Sequence, residues 1–203
     1  RLPCARARLA FAAPLRAPFN RSMETLMLRI VLLLLACLLY AGQTLAHGPS
    51  RLKVEETVVV KAPAAKVWAL IADFCAIEKW HPGIAKCTGT GGNEVGATRV
   101  LTVAAEGNPQ ISEELQKYDA AAMTYKYKIT QTDMNILPVT TYSAFLSVTD
   151  NGDGTSTVSW RGGFYRGHPN NNPPPTQNDE AATKAVTGTY QADLARIKEL
   201  AEK

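Results

Sequence analysis

The residues best suited to chemistry lie in one short run, Leu70-Ile-Ala-Asp-Phe-Cys-Ala-Ile-Glu-Lys-Trp-His-Pro-Gly-Ile-Ala-Lys-Cys87. His81 carries an imidazole, whose ordinary pKa lies near neutrality, so it could act as a general base or hydrogen-bond the polar head of a ligand. Trp80 and Pro82 flank it, and they also fit a plainer role as a core plug and a helix stop. No nucleophile or carboxylate partner stands at a telling spacing from His81. A pairing with Tyr125 or Glu114 is the one to test. Cys75 and Cys87 close the segment, twelve residues apart. As a disulfide in an exported chain they would stabilise by roughly 3 kcal/mol through loop closure. As free thiols they would be ordinary buried residues.

A second set is aromatic. Tyr125, Tyr127, Tyr142, Trp160, Phe164 and Tyr190 all fall on the apolar side of their elements. Together with Trp80 and His81 they could line a mostly apolar pocket with a few hydroxyls, although a core needs such residues too. The chain has three histidines, His47, His81 and His168. An N-terminal His47 could chelate copper, but no Cys/His cluster with metal spacing accompanies it, so neither metal nor cofactor is expected. Gly89-Thr-Gly-Gly92 precedes no helix and is not a phosphate loop. Asp150-Asn-Gly-Asp-Gly154 lacks the distal glutamate of a calcium loop and reads as a hairpin turn.

The elements that would position these residues follow from periodicity. Leu52 to Lys61 is β-branched and partly alternating, a strand. Pro63 suits a first helical turn, and Val67, Leu70, Ile71 and Phe74 form one helical face. A second short turn around 76–80 is stopped by Pro82 and Gly83. Strands are expected over 94–103, 111–118, 123–129, 139–148 and 156–164, each with one dry face. Val186, Tyr190, Leu194, Ile197 and Ala201 mark a long final helix from about Asp179, capped by Asn178 or Asp179. Gly188 inside it costs ~1 kcal/mol relative to Ala and marks either a close approach or a tolerated accident. The order predicts an α+β fold in which a curved antiparallel sheet of about seven strands buries its dry face against the last helix.

The ends of the chain set its compartment. Ile30 to Tyr40 is an uncharged run of eleven residues, too short for ~30 Å of hydrocarbon, which takes ~20. Arg29 precedes it and Thr44-Leu45-Ala46 follows, the pattern of a signal peptide over 23–46. Residues 1–22 contain no Met and are expected to lie upstream of the true start. Removing 1–46 takes six basic residues and one acidic one from totals of 22 and 18, leaving a net charge of −1. A nucleic-acid footprint is therefore not expected. Residues 47–203 are one domain's length. Only His168 to Pro175 is of low complexity, and it must be a loop.

Taken together, Ala62-Pro-Ala-Ala-Lys-Val-Trp68, Ile71-Ala-Asp-Phe74, Trp80-His-Pro82, Arg99-Val-Leu-Thr102, Glu114-Leu115, Tyr118-Asp119, Leu137-Pro-Val139 and Ala185-Val-Thr-Gly-Thr-Tyr190 resemble the START/Bet v 1-like superfamily. This group is also called SRPBCC or polyketide cyclase/dehydrase-like. The resemblance spans essentially all of 47–203 and is greatest to small secreted bacterial members that include methanol-oxidation accessory proteins. It implies a helix-grip fold, with the C-terminal helix across a curved sheet and a cavity between them. Members bind lipids, sterols, polyketides or other apolar molecules, and a minority are enzymes. No shared catalytic constellation carries over to these residues.

The expectation is therefore a periplasmic or secreted bacterial monomer with no membrane span after leader removal. It would carry a small apolar or amphipathic molecule by burial and one or two polar contacts. Two alternatives stay open. One is an accessory protein for a periplasmic dehydrogenase or its cytochrome, with a filled core and an exposed patch near 168–175. The other is a cyclase- or dehydratase-like enzyme.

Overall fold

The computed structural model describes residues 25–27, 29–32 and 48–203. The chain divides into two units, Arg1–Ala46 and His47–Lys203. The expected start site, the leader and His47 lie largely outside the described residues. Among those described, no helix is long and apolar enough to cross a membrane.

The second unit is a seven-stranded antiparallel sheet crossed by one long helix. Its strands are β1 (Leu52–Val60), β2 (Ile84–Thr90), β3 (Thr98–Val103), β4 (Gln110–Asp119), β5 (Thr124–Gln131), β6 (Val139–Asp150) and β7 (Ser156–Arg166). Helix α1 (Ala64–Ile71) and a 3-10 turn (Ala76–Lys79) follow β1, and helix α2 (Asp179–Ala201) ends the chain. The spatial order is β1-β7-β6-β5-β4-β3-β2. From β2 to β7 the chain is a simple meander. Only β1 breaks it, pairing with β7 in register from Leu52↔Phe164 to Val60↔Ser156.

One face of this sheet is dry. Tyr125 and Tyr127 on β5, Tyr142, Ala144 and Leu146 on β6, and Val158, Trp160 and Phe164 on β7 are all buried. They meet the stripe of α2, where Ala182, Val186, Tyr190, Leu194, Ile197 and Ala201 are buried. Burial of these two apolar surfaces is the main force that holds helix to sheet. The helix start is secured by Asn178, whose side chain accepts the Ala181 N–H at 2.8 Å.

Four local features depart from simple periodicity. The sheet includes an edge strand, Ile84–Thr90, whose exposed and small residues show no one-sided alternation. Residues 94–97 form the turn that enters β3, with Gly96 at φ +92°, so that strand begins at Thr98. Met123 sits at φ 47°, in the turn before β5 and not in the strand. β6 carries an irregularity between Thr140 and Ser143, where Thr141 adopts φ 49°. A β-branched residue in that region is strained. The bulge it makes lets Val139 and Tyr142, three residues apart, both point inward.

Gly188 is not a close-approach point, because a Cβ there would meet nothing within 4 Å. Gly162 is one. A Cβ on it would lie 2.3 Å from the Tyr190 hydroxyl.

The disulfide Cys75–Cys87 is formed, with Cα atoms 5.7 Å apart. It ties the start of the 3-10 turn to β2, reinforced by the Glu78 carboxylate accepting the Cys87 N–H at 2.7 Å. The proline-rich loop is pinned by Arg166. Its guanidinium donates to the carbonyls of His168 and Asn170, at 2.8 Å each, and pairs with Asp179 at 3.3 Å.

Candidate functional site

Between the sheet and α2 lies a cavity of about 220 Å³. Its apolar wall includes Ile77, Ile84, Leu101, Ile111, Ile129 and Leu137. Its polar groups are His81, Glu113, Tyr127, Tyr142, Thr189 and Tyr190. The mixture of a greasy wall and a few fixed polar atoms is the usual make-up of a small-molecule site.

Three hydroxyls form a chain across one side. Tyr142 Oη lies 2.5 Å from Tyr190 Oη and 3.4 Å from Tyr127 Oη. Three O–H groups share two internal hydrogen bonds, so one of their three protons remains for a third party. Burial raises the pKa of each phenol well above its ordinary value, so all three stay protonated and can donate. The helix–sheet spacing that brings Tyr190 to Tyr142 depends on Gly162, where any side chain would displace the Tyr190 ring. Trp160 stacks on the Tyr190 ring at 4.4 Å and fixes its plane.

A buried ion pair supports the floor. Arg99 and Glu113 face each other across β3 and β4, with Nε to Oε2 at 2.6 Å. The guanidinium also donates to the Phe74 carbonyl and lies 3.9 Å from the centre of the Phe74 ring. Burial raises the Glu113 carboxyl above its ordinary value, and Arg99 opposes that rise. With a hydrogen-bonded partner the charged form of Arg99 is retained.

His81 also lines the cavity. Its Nδ1 lies 3.1 Å from the Gly83 N–H and 3.2 Å from Asp193 Oδ1 on α2. Gly83 permits this ring position, since a Cβ there would come within 3.1 Å of His81 Cε1. Asp193 is fully buried, and among the described residues neither carboxyl oxygen has a satisfactory hydrogen bond. Burial pushes the Asp193 carboxyl up to about 8. Burial, and then the charge of Arg99, lower the His81 imidazole to about 4. A carboxyl in such a place holds its proton at neutral pH, and the nearest acceptor for that proton is His81 Nδ1.

Five of the eight side chains expected at a ligand site therefore line one cavity: His81, Tyr127, Tyr142, Trp160 and Tyr190. The other three do not reach it. Trp80 is buried edge-on against Trp160. Tyr125 packs among Trp68, Phe74 and Tyr127. Phe164 stacks behind Tyr142 at 6.0 Å. Tyr125 and Glu114 are not the partners of His81, because Glu114 points from the other face of β4 and pairs with Lys128 at 2.9 Å. The partner is Asp193. A signal for it existed in the sequence, since Asp193 falls three residues after Tyr190 and four before Ile197, on the apolar stripe itself. Arg99 and Glu113 were likewise marked by inward positions in β3 and β4.

The profile of a family described as polyketide cyclase/dehydrase and lipid transport matches residues 51–202. The chain belongs to that family. Its fold is the helix-grip fold, shared with several solved structures. The protein XoxI from Bacillus cereus is 25% identical, with a TM-score of 0.61 over 73% of this chain and 94% of that one. The ZhuI aromatase/cyclase from a Streptomyces species is 19% identical, with a TM-score of 0.59 over 75% and 94%. Norcoclaurine synthase from Thalictrum flavum, in complex with dopamine and hydroxybenzaldehyde, is 16% identical, with a TM-score of 0.55 over 75% and 87%. No curated protein sequence matches the chain. This member of the polyketide cyclase/dehydrase and lipid-transport family has a cavity of modest size that polar and apolar side chains line together.

Proposed function

We propose that this protein binds one small, mostly apolar molecule between its sheet and α2. The observation that carries this is the cavity itself, about 220 Å³ with an apolar wall, a spare phenol proton and an imidazole. A dry apolar cavity of about 150 Å³ accepts benzene, so the space here suits one ring with a short substituent or a compact bicycle. A long acyl chain is too large. The ligand's oxygen would accept from the tyrosine chain, and its carbon skeleton would lie against Ile84, Leu101 and Ile111. The accessory-protein alternative expected a filled core, and the open volume favours carriage over it.

The disulfide supports an exported, periplasmic or extracellular setting, where such bonds persist.

The test is direct. Purified protein is extracted with organic solvent and analysed for a stoichiometric compound, and ligand-free protein is screened by thermal shift against single-ring and two-ring ketones, phenols and hydrocarbons. A two-ring ketone such as 2-indanone should raise Tm. Isoleucine 84 to tryptophan (Ile84→Trp) should abolish that rise by filling the cavity. Absence of any extracted compound, together with no shift from any probe, would refute binding.

A further inference from the structure

We propose that His81 and Asp193 form an acid–base dyad that moves a proton on a small carbonyl compound held in the cavity. The inference rests on the binding function above and adds a reaction class to it.

The dyad is a matter of geometry first. His81 presents its ring to the cavity, and its Nδ1 is held from behind by Asp193 Oδ1 and the Gly83 N–H. Its Nε2 makes no hydrogen bond to the described protein, which leaves that atom for a ligand. Asp193 is fully buried on α2 and has no other polar atom to serve. A buried carboxyl without a partner costs stability, and residues that carry such a cost at a cavity wall are candidates for chemistry.

Nδ1 cannot accept from Gly83 and donate to Asp193 at once, so the place of one proton decides what Nε2 does. With Asp193 protonated, the one Nδ1 lone pair is shared between the Asp193 O–H and the Gly83 N–H, and Nε2 carries the ring proton. With Asp193 ionised, Nδ1 carries the proton and donates to the carboxylate, and Nε2 offers a lone pair. The dyad thus alternates between a hydrogen-bond donor and a base on the side that faces the ligand.

The step balances within these groups. Nε2 takes a proton from the carbon beside the ligand's carbonyl, so a C–H bond breaks and an N–H bond forms. The electron pair moves onto the carbonyl oxygen as an enolate, which accepts the spare O–H of the Tyr127–Tyr142–Tyr190 chain. The Nδ1 proton passes to Asp193. The ring ends neutral, which matters because its burial and the nearby charge of Arg99 disfavour an imidazolium. The reverse steps return a proton to the same or a neighbouring atom. The charged and titratable groups around the dyad are Arg99 from β3, whose charge acts on His81, Tyr190 on α2, which senses Asp193, and Glu113 from β4, which lines the same cavity.

Two measurements on the 47–203 unit within the full chain test this. The first is the 15N chemical shift of the His81 ring nitrogens from pH 6 to 10. The wild type should pass from the Nε2–H to the Nδ1–H tautomer as pH rises, whereas Asp193→Asn should stay Nε2–H throughout, because its amide N–H donates to Nδ1. A single tautomer across the range in wild type, or the same switch in Asp193→Asn, overturns the dyad. The second is deuterium exchange of the α-protons of 2-indanone in D2O, with binding followed on the same samples. Wild type should exchange the bound ketone at least tenfold faster than buffer, and both His81→Gln and Asp193→Asn should lose that gain while still binding. Binding without faster exchange overturns the catalytic proposal and leaves the carrier function standing. No binding at all removes both.

Discussion

The clearest consequence of the Asp193–His81 arrangement is a stability that depends on pH in a narrow window. In the folded protein burial holds the Asp193 carboxyl at about 8, against 3.8 for the unperturbed group. The folded state therefore binds more protons than the unfolded one between those values, and stability falls as pH rises from 3.8 towards 8. His81 acts the other way. Its pKa is lowered to about 4 from 6.5, so the unfolded state binds more protons between 4 and 6.5, and stability rises with pH there. The two slopes oppose each other below 6.5. Above 6.5 only Asp193 is left, and over the next one and a half pH units it removes about 2 kcal/mol, at ~1.36 kcal/mol per pH unit. For a domain of this length that is roughly 4–8 °C in Tm. The assay is urea unfolding followed by the fluorescence of buried Trp68, Trp80 and Trp160, at pH 6.5 and pH 8, for wild type and Asp193→Asn. The difference between the two proteins cancels Glu113 and the other groups outside the His81–Asp193 pair. Wild type should lose about 2 kcal/mol more than the variant across the window. Equal losses in both proteins would show that Asp193 is solvated or already ionised, and the reasoning would fail.

Three further changes have defined outcomes. Replacing Cys75 and Cys87 with Ser should cost roughly 3 kcal/mol in denaturant unfolding, as expected for a loop of this length, and adding reductant to wild type should have the same effect. Gly162→Ala should destabilise by about 1–3 kcal/mol through overpacking against Tyr190, and the double variant with Tyr190→Phe should recover much of that loss, a coupling that a double-mutant cycle reads out. Gly188→Ala should stabilise by up to ~1 kcal/mol with no effect on ligand binding, because the added methyl meets nothing and the helix gains a better former; a lower Tm would contradict it.

Elements with one dry face were legible from residue order. β5 and β7 alternate cleanly, and the stripe from Val186 to Ala201 marks α2 together with its Asn178 cap. The cysteine pair was expected from an exported setting and an even count, with free thiols as the alternative, and the bond is formed. What escaped was set by tertiary context. β2 is an edge strand whose exposed Lys86, Thr88 and Thr90 give it no apolar period. The inward turn of both Val139 and Tyr142 needs the bulge at Thr141, which alternation alone cannot contain. Asp193 lies on the helical stripe, where a period drawn through apolar residues alone does not include it. A charge on that stripe was the informative exception. The cavity itself has no sequence signature, since its lining uses the same residue types as a filled core.

The strand order also carries a consequence for how the chain is made. Among the described residues β1 pairs only with β7, so Leu52 waits for Phe164 and Val60 for Ser156. During synthesis or transport from the N-terminal end, the Thr57-Val-Val-Val60 edge emerges first and finds its partner about a hundred residues later. Closure of so long a loop is slow, and an unpaired β-branched edge invites pairing with another chain meanwhile. Completion of this sheet therefore has to await β7, the last of its strands to be made.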